Sequence, residues 1–341
     1  ECIGCNICIW GNANSVPLRC TQNPTRGEEW RRGWHPEKVN PRHSNENVLV
    51  VGAGPAGLEA TRVLGHRGYE VVLAEATREL GGRVLAESSL PGLSEWSRVR
   101  DYRVQQLAKM PNVQIFYDSK LDAQQVLDFG FHHVCIATGS HWRKDGRGRF
   151  NYTPMEGWHL DGVLSVDQIL LGNEIRDPVV VFDDDHFYMG SVIAEKLKLL
   201  GHDVLLVTSS GDLSPVSSGT LEQSRIQAQA LELGIKLLTS HNVLKYDGKS
   251  VILSCGYTGS EQVRPCETYV PVTSKEPNEK LYQRLAAKPV DLKKRGILSL
   301  ERIGDCAAPS IIAQAIFSGH RYGRELGSNK HEVLRDRVLM S

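Results

Sequence analysis

The feature that most constrains this chain is a strand, a glycine-rich loop, a helix and a second strand run together between residues 47 and 75. Asn47-Val48-Leu49-Val50-Val51 reads as a buried parallel strand. Gly52-Ala53-Gly54-Pro55-Ala56-Gly57 follows at once, then a helical pattern from Leu58 to Leu64, closed by Gly65-His66-Arg67-Gly68. The next strand, Tyr69 to Ala74, ends at Glu75. Alone, such a glycine pattern is a weak signal; between strand and helix, with an acid ending the next strand, it specifies a dinucleotide fold. Gly52 permits the tight turn, Gly54 lets backbone approach a pyrophosphate, and Gly57 lets the helix pack close. The helix N-terminus with Pro55 and Ala56 then faces the anionic phosphates. Glu75 is placed to accept from ribose hydroxyls, and its charge opposes a 2′-phosphate, so NADP is not expected. A glycine turn with no ligand is the competing interpretation.

Further signals collect around that site. Ala76 adjoins Glu75, and Gly81-Gly82-Arg83 is an extension common in flavin-binding proteins with two dinucleotide folds. Val134 to Ser140 reads as a buried strand ending Ala137-Thr138-Gly139, which returns the chain beneath the nucleotide. Ile303-Gly304-Asp305 precedes a helix over 311–324; Asp305 suits a ribityl or pyrophosphate contact, or starts that helix.

A second strand–helix–strand unit spans 178–208, but its loop is wrong. Asp183-Asp184-Asp185-His186-Phe187-Tyr188-Met189-Gly190 carries three carboxylates where a pyrophosphate would lie. Each like-charge contact there costs on the order of a few kcal/mol. No NAD(P)H is expected in this unit, and the acids read as a solvated turn rather than a metal cluster. Ser274 stands where the strand over 269–274 would carry glycine. The fold expected is α/β: two Rossmann-like domains, the second inserted into the first, over 45–145 with 288–341 and over 146–287.

The first 44 residues carry Cys2, Cys5, Cys8 and Cys20 in a C-x2-C-x2-C-x11-C pattern. Three close thiolates and a remote fourth suit a [4Fe–4S] cluster; zinc is the alternative, since structural zinc favours two pairs. Ile3, Ile7 and Ile9 supply an apolar shell. Eight cysteines, four of them clustered, suit a metal site in a reducing, cytoplasmic compartment. Cys135 and Cys306 read as small core residues, His132-His133 as a surface pair, and the basic run Trp142 to Arg149 as a solvated interdomain loop.

The sequence opens Glu1-Cys2-Ile3-Gly4-Cys5 without a start Met, as expected of a piece of a longer protein. Lys and Arg number 40 and Asp and Glu number 40, so no charge excess favours nucleic acid or an anionic membrane surface. No apolar run approaches the roughly 20 residues of a membrane span.

Taken in order, the cysteine pattern, C-T-Q-N-P (20–24), W-R-R-G-W-H-P-E-K (30–38), V-V-G-A-G-P-A-G (50–57), L-P-G-L-S-E-W-S (90–97), I-A-T-G (136–139) and I-G-D (303–305) resemble the C-terminal part of the trimethylamine, dimethylamine and histamine dehydrogenase family, and more distantly 2,4-dienoyl-CoA reductase. The resemblance covers nearly the whole chain and is weakest over 210–290. It implies an N-terminal TIM barrel, absent here, that holds FMN and oxidises the amine. It also implies a [4Fe–4S] cluster on the four cysteines, an electron-transferring flavoprotein as acceptor, a homodimer in full-length form, and ADP held by Gly52, Gly54, Gly57 and Glu75. FAD at that site, with a pyridine nucleotide in the second unit, is the dienoyl-CoA reductase alternative; a non-catalytic assembly domain stabilised by ADP is another. Arg98 departs from the family, whose type member has a surface tyrosine there, implicated in electron exit. Trp96 and Tyr102 beside it are expected in the core.

Overall fold

The computed structural model describes residues 1–328. Among them nine strands build two parallel sheets: β1 (Val48–Val51), β2 (Val71–Ala74), β3 (Val113–Phe116), β4 (His133–Ile136), β5 (Val179–Asp183), β6 (Val204–Thr208), β7 (Lys236–Leu238), β8 (Thr268–Val272) and β9 (Ser299–Arg302). Five helices matter below: α1 (Ile7–Ala13), α2 (Pro55–His66), α3 (Ser97–Leu107), α4 (Met189–Leu199) and α5 (Ile312–Glu325).

The chain divides into two compact units. Of the described residues the first comprises 1–88, 94–140 and 277–328; the second comprises 89–93 and 141–276, so most of it lies within an interruption of the first. Its limits fall at 140/141 and 276/277, not at the 145/146 and 287/288 expected from sequence. The reason is packing. Trp142 is buried in the second unit's core beside Leu164 and Val270, and Arg143 N–H bonds Ser274 O there. Leu285, conversely, packs with Leu49, Val51 and Val134 in the first unit.

The first sheet runs β9-β4-β1-β2-β3, all parallel, with Val48 opposite Val71 on one side and His133 on the other. Central β1 is buried along its length, as four consecutive apolar residues demand. α2 starts at Pro55, whose fixed φ and missing N–H suit a first helical position. Every residue of α2 from Ala56 to Gly65 is buried. Small residues make that possible: a Cβ on Gly319 of α5 would lie 2.1 Å from Ala56 O, and one on Gly323 would lie 2.7 Å from Val63 Cβ.

The second unit has a parallel sheet β8-β5-β6-β7 and an antiparallel three-stranded sheet from 241–246, 250–255 and 261–265. No helix among the described residues is long and apolar enough to cross a membrane.

Several surface expectations are corrected by packing. His133 is buried, sharing hydrogen bonds with Ser299 Oγ (2.7 Å) and Glu46 Oε2 (3.0 Å). Trp96 is in the core, but Tyr102 is 40% exposed because it faces out from α3. The basic run is not a solvated loop: Trp142 is buried and Arg143 pairs with Asp145 at 2.6 Å. Cys135 and Cys306 are buried, as small core residues should be.

A Gly319→Ala substitution drives a methyl into α2 backbone that cannot swing aside. It should destabilise the first unit by about 1–3 kcal/mol, read as a lowered thermal midpoint; an unchanged midpoint would mean the two helices separate freely.

Candidate nucleotide site and cysteine segment

β1 delivers the glycine loop to the C-terminal edge of its sheet, where such folds place ligands. Gly52 has φ +103°, and a Cβ on it would lie 2.5 Å from Ala137 O. A Cβ on Gly57 would lie 1.9 Å from Gly52 O. These two glycines are therefore demanded by the fold. Gly54 is not: its φ is −71° and nothing stands within 4 Å of its Cβ position. Its missing side chain leaves room only for something approaching the start of α2, where the first amides lack intrahelical acceptors.

That room is a cleft of about 620 Å³, within the ~300–1,000 Å³ usual for small-molecule sites. Gly52, Gly54, Pro55, Ala56, Glu75, Ala76, Gly82, Arg83, Thr138, Gly139 and Asp305 all line it. Gly57 and Gly304 do not; a Cβ on Gly304 would meet Ala56 Cβ at 2.6 Å, so it serves packing. Glu75 is buried, and its carboxylate accepts from Ala53 N–H (2.8 Å), Thr77 N–H (3.0 Å) and Thr77 Oγ1 (3.0 Å). It thus braces the glycine loop as well as lining the cleft.

At Asp305 the polar atoms are tied to one another. Asp305 Oδ2 accepts from Arg83 Nη2 (2.8 Å) and Ser140 Oγ (2.8 Å), and Oδ1 accepts from Ser310 N–H (3.1 Å). Arg83 also donates to Glu87 (2.7 Å) and Ser140 Oγ (2.9 Å). Asp305 sits in a 3-10 turn and does not cap α5, whose N-cap is Ile311.

The cysteine segment folds as a loop, the short α1, and a return to Cys20. Burial pushes the Cys5 thiol up; Cys20 and Cys2 nearby push it the same way, against the Thr21 hydroxyl and the Ile7 backbone, which lower it. Backbone amides aim at sulfur elsewhere: Gly4 N–H to Cys2 Sγ (3.3 Å) and Asn23 N–H to Cys20 Sγ (3.4 Å). Among the described residues no three His, Cys, Asp or Glu side chains converge to hold one metal ion. A four-iron cluster takes each thiolate on a different iron, so its ligands need not converge on one point. Sulfurs that accept backbone amides are the environment such clusters use. Four thiolates with such donors are a ligand set that a four-iron cluster accepts.

Residues 46–313 match the family model described as pyridine nucleotide-disulphide oxidoreductase. The chain belongs to that family. It is 39% identical to a dimethylamine dehydrogenase of Hyphomicrobium sp. (strain x) over 95% of this chain and 48% of that protein. The structure of histamine dehydrogenase from Rhizobium sp. 4-9 matches all of the chain and 54% of its own length, at 46% identity and a TM-score of 0.95. That of 6-hydroxypseudooxynicotine amine oxidase from Pseudomonas geniculata N1 matches 96% of the chain and 49% of its own length, at 42% identity and a TM-score of 0.91. The chain spans about half the length of these relatives, which are oxidoreductases.

In this pyridine nucleotide-disulphide oxidoreductase chain the second unit's loop is not the solvated turn its sequence suggests. Asp183 and Asp184 are buried. Burial, with Asp185 and Asp184 beside it, pushes the Asp183 carboxyl up to about 8, so it is protonated at neutral pH. Its Oδ1 accepts from His186 N–H at 3.0 Å. Asp184 accepts from Phe150 N–H (2.9 Å) and Ser209 Oγ (3.1 Å). Burial raises Asp185 too, opposed by Lys275 and Arg149. The Phe187 and Tyr188 rings, 4.2 Å apart, stand at the start of α4.

One cluster escaped sequence reasoning. Glu59, inside α2, is fully buried with Arg103, Arg62 and His320 around it. Burial alone would raise this carboxyl, but the two guanidiniums and the His320 hydrogen bond hold it well below the usual range.

Asp183 fixes the sign of a pH effect. Folded, it keeps a proton that the unfolded chain releases near pH 4, so stability of the second unit falls as pH rises from about 4 to about 8. Asp183→Asn keeps the shape and the acceptor for His186 without the proton. Its thermal midpoint should decline less than that of the unchanged protein between about pH 5 and about pH 8; equal slopes would assign the proton elsewhere.

Proposed function

We propose that this chain is the electron-transfer and ADP-binding portion of an iron–sulfur flavoprotein dehydrogenase acting on N-methylated or similar amines. The observation that carries the choice of ligand is the Arg83–Asp305–Ser140 knot. In a flavin site the aspartate at this place must receive the ribityl or pyrophosphate region. Here both lone-pair directions of Asp305 Oδ2 are taken by Arg83 and Ser140, and Oδ1 accepts from Ser310. The cleft thus offers an adenosine diphosphate its glycine loop, helix start and Glu75, while the flavin half would have to displace the partly buried Arg83–Asp305 ion pair.

Each residue then has a role. Gly54 admits the pyrophosphate to the amides of α2. Glu75 holds the loop amide of Ala53 and presents its remaining lone pairs to ribose hydroxyls. Thr138 and Gly139 close the floor. Cys2, Cys5, Cys8 and Cys20 would hold the [4Fe–4S] cluster, with Gly4 and Asn23 amides directed at sulfur. When bound, the cluster supplies one-electron transfer between the amine-oxidising FMN of the N-terminal barrel and an electron-transferring flavoprotein. The buried Asp183 and Asp184 carboxyls stand in the loop before α4, where a dinucleotide phosphate would need donors, which supports a second unit without NAD(P)H. The whole protein is then a cytoplasmic homodimer.

The test begins with anaerobic purification, denaturation and chromatography of the released nucleotide. ADP without FAD is the expected result; FAD would overturn the reading in favour of a pyridine nucleotide-linked reductase. Gly54→Ala separates site from fold. It should leave the unfolding of nucleotide-free protein unchanged and weaken ADP binding at least about tenfold, or 1.4 kcal/mol; undiminished binding would remove the start of α2 from the site.

A further inference from the structure

Arg103 is the largest fully buried side chain among the described residues. Its Nε donates to Glu59 Oε2 at 2.8 Å. Its other nitrogens point away from that ion pair. Nη1 donates to Val99 O (2.8 Å) and to Gln22 Oε1 (3.0 Å), and Nη2 reaches Gln22 O at 3.5 Å. Gln22 lies two residues beyond Cys20 and is held from both sides, since its Nε2 donates to Arg98 O at 3.2 Å. Arg98 in turn donates from Nη1 to the carbonyl of Cys2 at 2.9 Å. One helix, α3, therefore grips the cysteine segment beside its first cysteine and beside its fourth.

A buried arginine with a counter-ion is a poor way to gain stability, because an apolar side chain of that volume fills the same space without desolvating a charge. What it adds is direction: a planar fork that fixes its acceptors in angle as well as distance. Glu59 saturates its own side of the arrangement, with Arg62 Nη2 (2.7 Å) and His320 Nδ1 (2.8 Å) on Oε1 and Arg62 Nε (3.2 Å) joining Arg103 on Oε2. The remaining arm of Arg103 is thus committed to Gln22.

We propose that Arg103 is a positioning residue for the iron–sulfur site, the chain Glu59–Arg103–Gln22 fixing the Cys20 arm of the cysteine segment to the helix that presents the glycine loop. This rests on the reading of Cys2, Cys5, Cys8 and Cys20 as cluster ligands. Arg103 touches no sulfur; it acts through Gln22.

Arg103→Ala would strand a buried carboxylate and unfold the unit, so the informative change is Gln22→Ala, which leaves the Glu59 pairs intact. It is made in the whole protein, purified anaerobically. Release of iron to a chelator should accelerate at least about tenfold, as expected for losing a hydrogen bond to a charged group, and the electron paramagnetic resonance signal and midpoint potential of the reduced cluster should move. Nucleotide content should stay as it was. Gln22→Glu, which still accepts from Arg103, should restore the slow release. Release and potential unchanged in Gln22→Ala would overturn the proposal. Protein with unaltered sequence that takes up no iron on reconstitution would overturn the cluster reading instead, and the positioning role with it.

Discussion

A carboxylate sealed from water is tolerable only when cations surround it, and Glu59 is the point about which the first unit is built. Its partners come from three elements: the guanidiniums of Arg62 on its own helix and Arg103 on α3, and the His320 ring of α5, which shares a hydrogen bond with Oε1. Removing the Arg103 guanidinium leaves the buried carboxylate undercompensated, a loss of about 3–5 kcal/mol. The consequence is geometric. α2 cannot rotate or slide without breaking the ion pair to α3 and the hydrogen bond to α5. Gly52 and Gly57 need that rigidity, because their contacts with Ala137 and with each other leave no room for a methyl group. The glycine loop keeps its shape because the middle of the following helix is pinned.

Much of this was legible from sequence where the demand was local. Gly52 after the strand, with Gly57 at a fixed offset, describes a turn that only glycine can make, so the cleft beside it could be located from the sequence. Glu59 was not legible, because Glu and Arg three apart on a helix read as an exposed pair. Only the small residues of α5, packed onto that face, turn it into a core. His133 failed for the same reason: its partners, Glu46 and Ser299, are far away in sequence. Asp305 was found, but its commitment to Arg83 and Ser140 was not, since nothing near it announces a guanidinium from residue 83.

The two units show how far one scaffold can be driven apart by its first loop. Both have a parallel strand, a turn, a helix and a second parallel strand. In the first, glycines leave a void at the helix start. In the second, Asp183 packs against Gly190 so closely that a Cβ there would lie 2.5 Å from its carboxyl carbon, and the loop turns its acids inward. Three neighbouring carboxylates read as a solvated turn because charged groups avoid burial. The structure evades that penalty by keeping a proton on Asp183 and giving Asp184 hydrogen-bond donors.

The inward acids have a further consequence. The Phe150 amide and the Ser209 hydroxyl, groups able to bind an anion, are already engaged by Asp184, while Arg149 donates to the Asp185 carbonyl. Asp184 is a tethered occupant, and a tether of this length corresponds to an effective concentration of order millimolar or above. A dissolved phosphate compound present at micromolar levels meets a competitor that never diffuses away. The competitor is thus part of the covalent chain, at a concentration that dilution of the protein does not change.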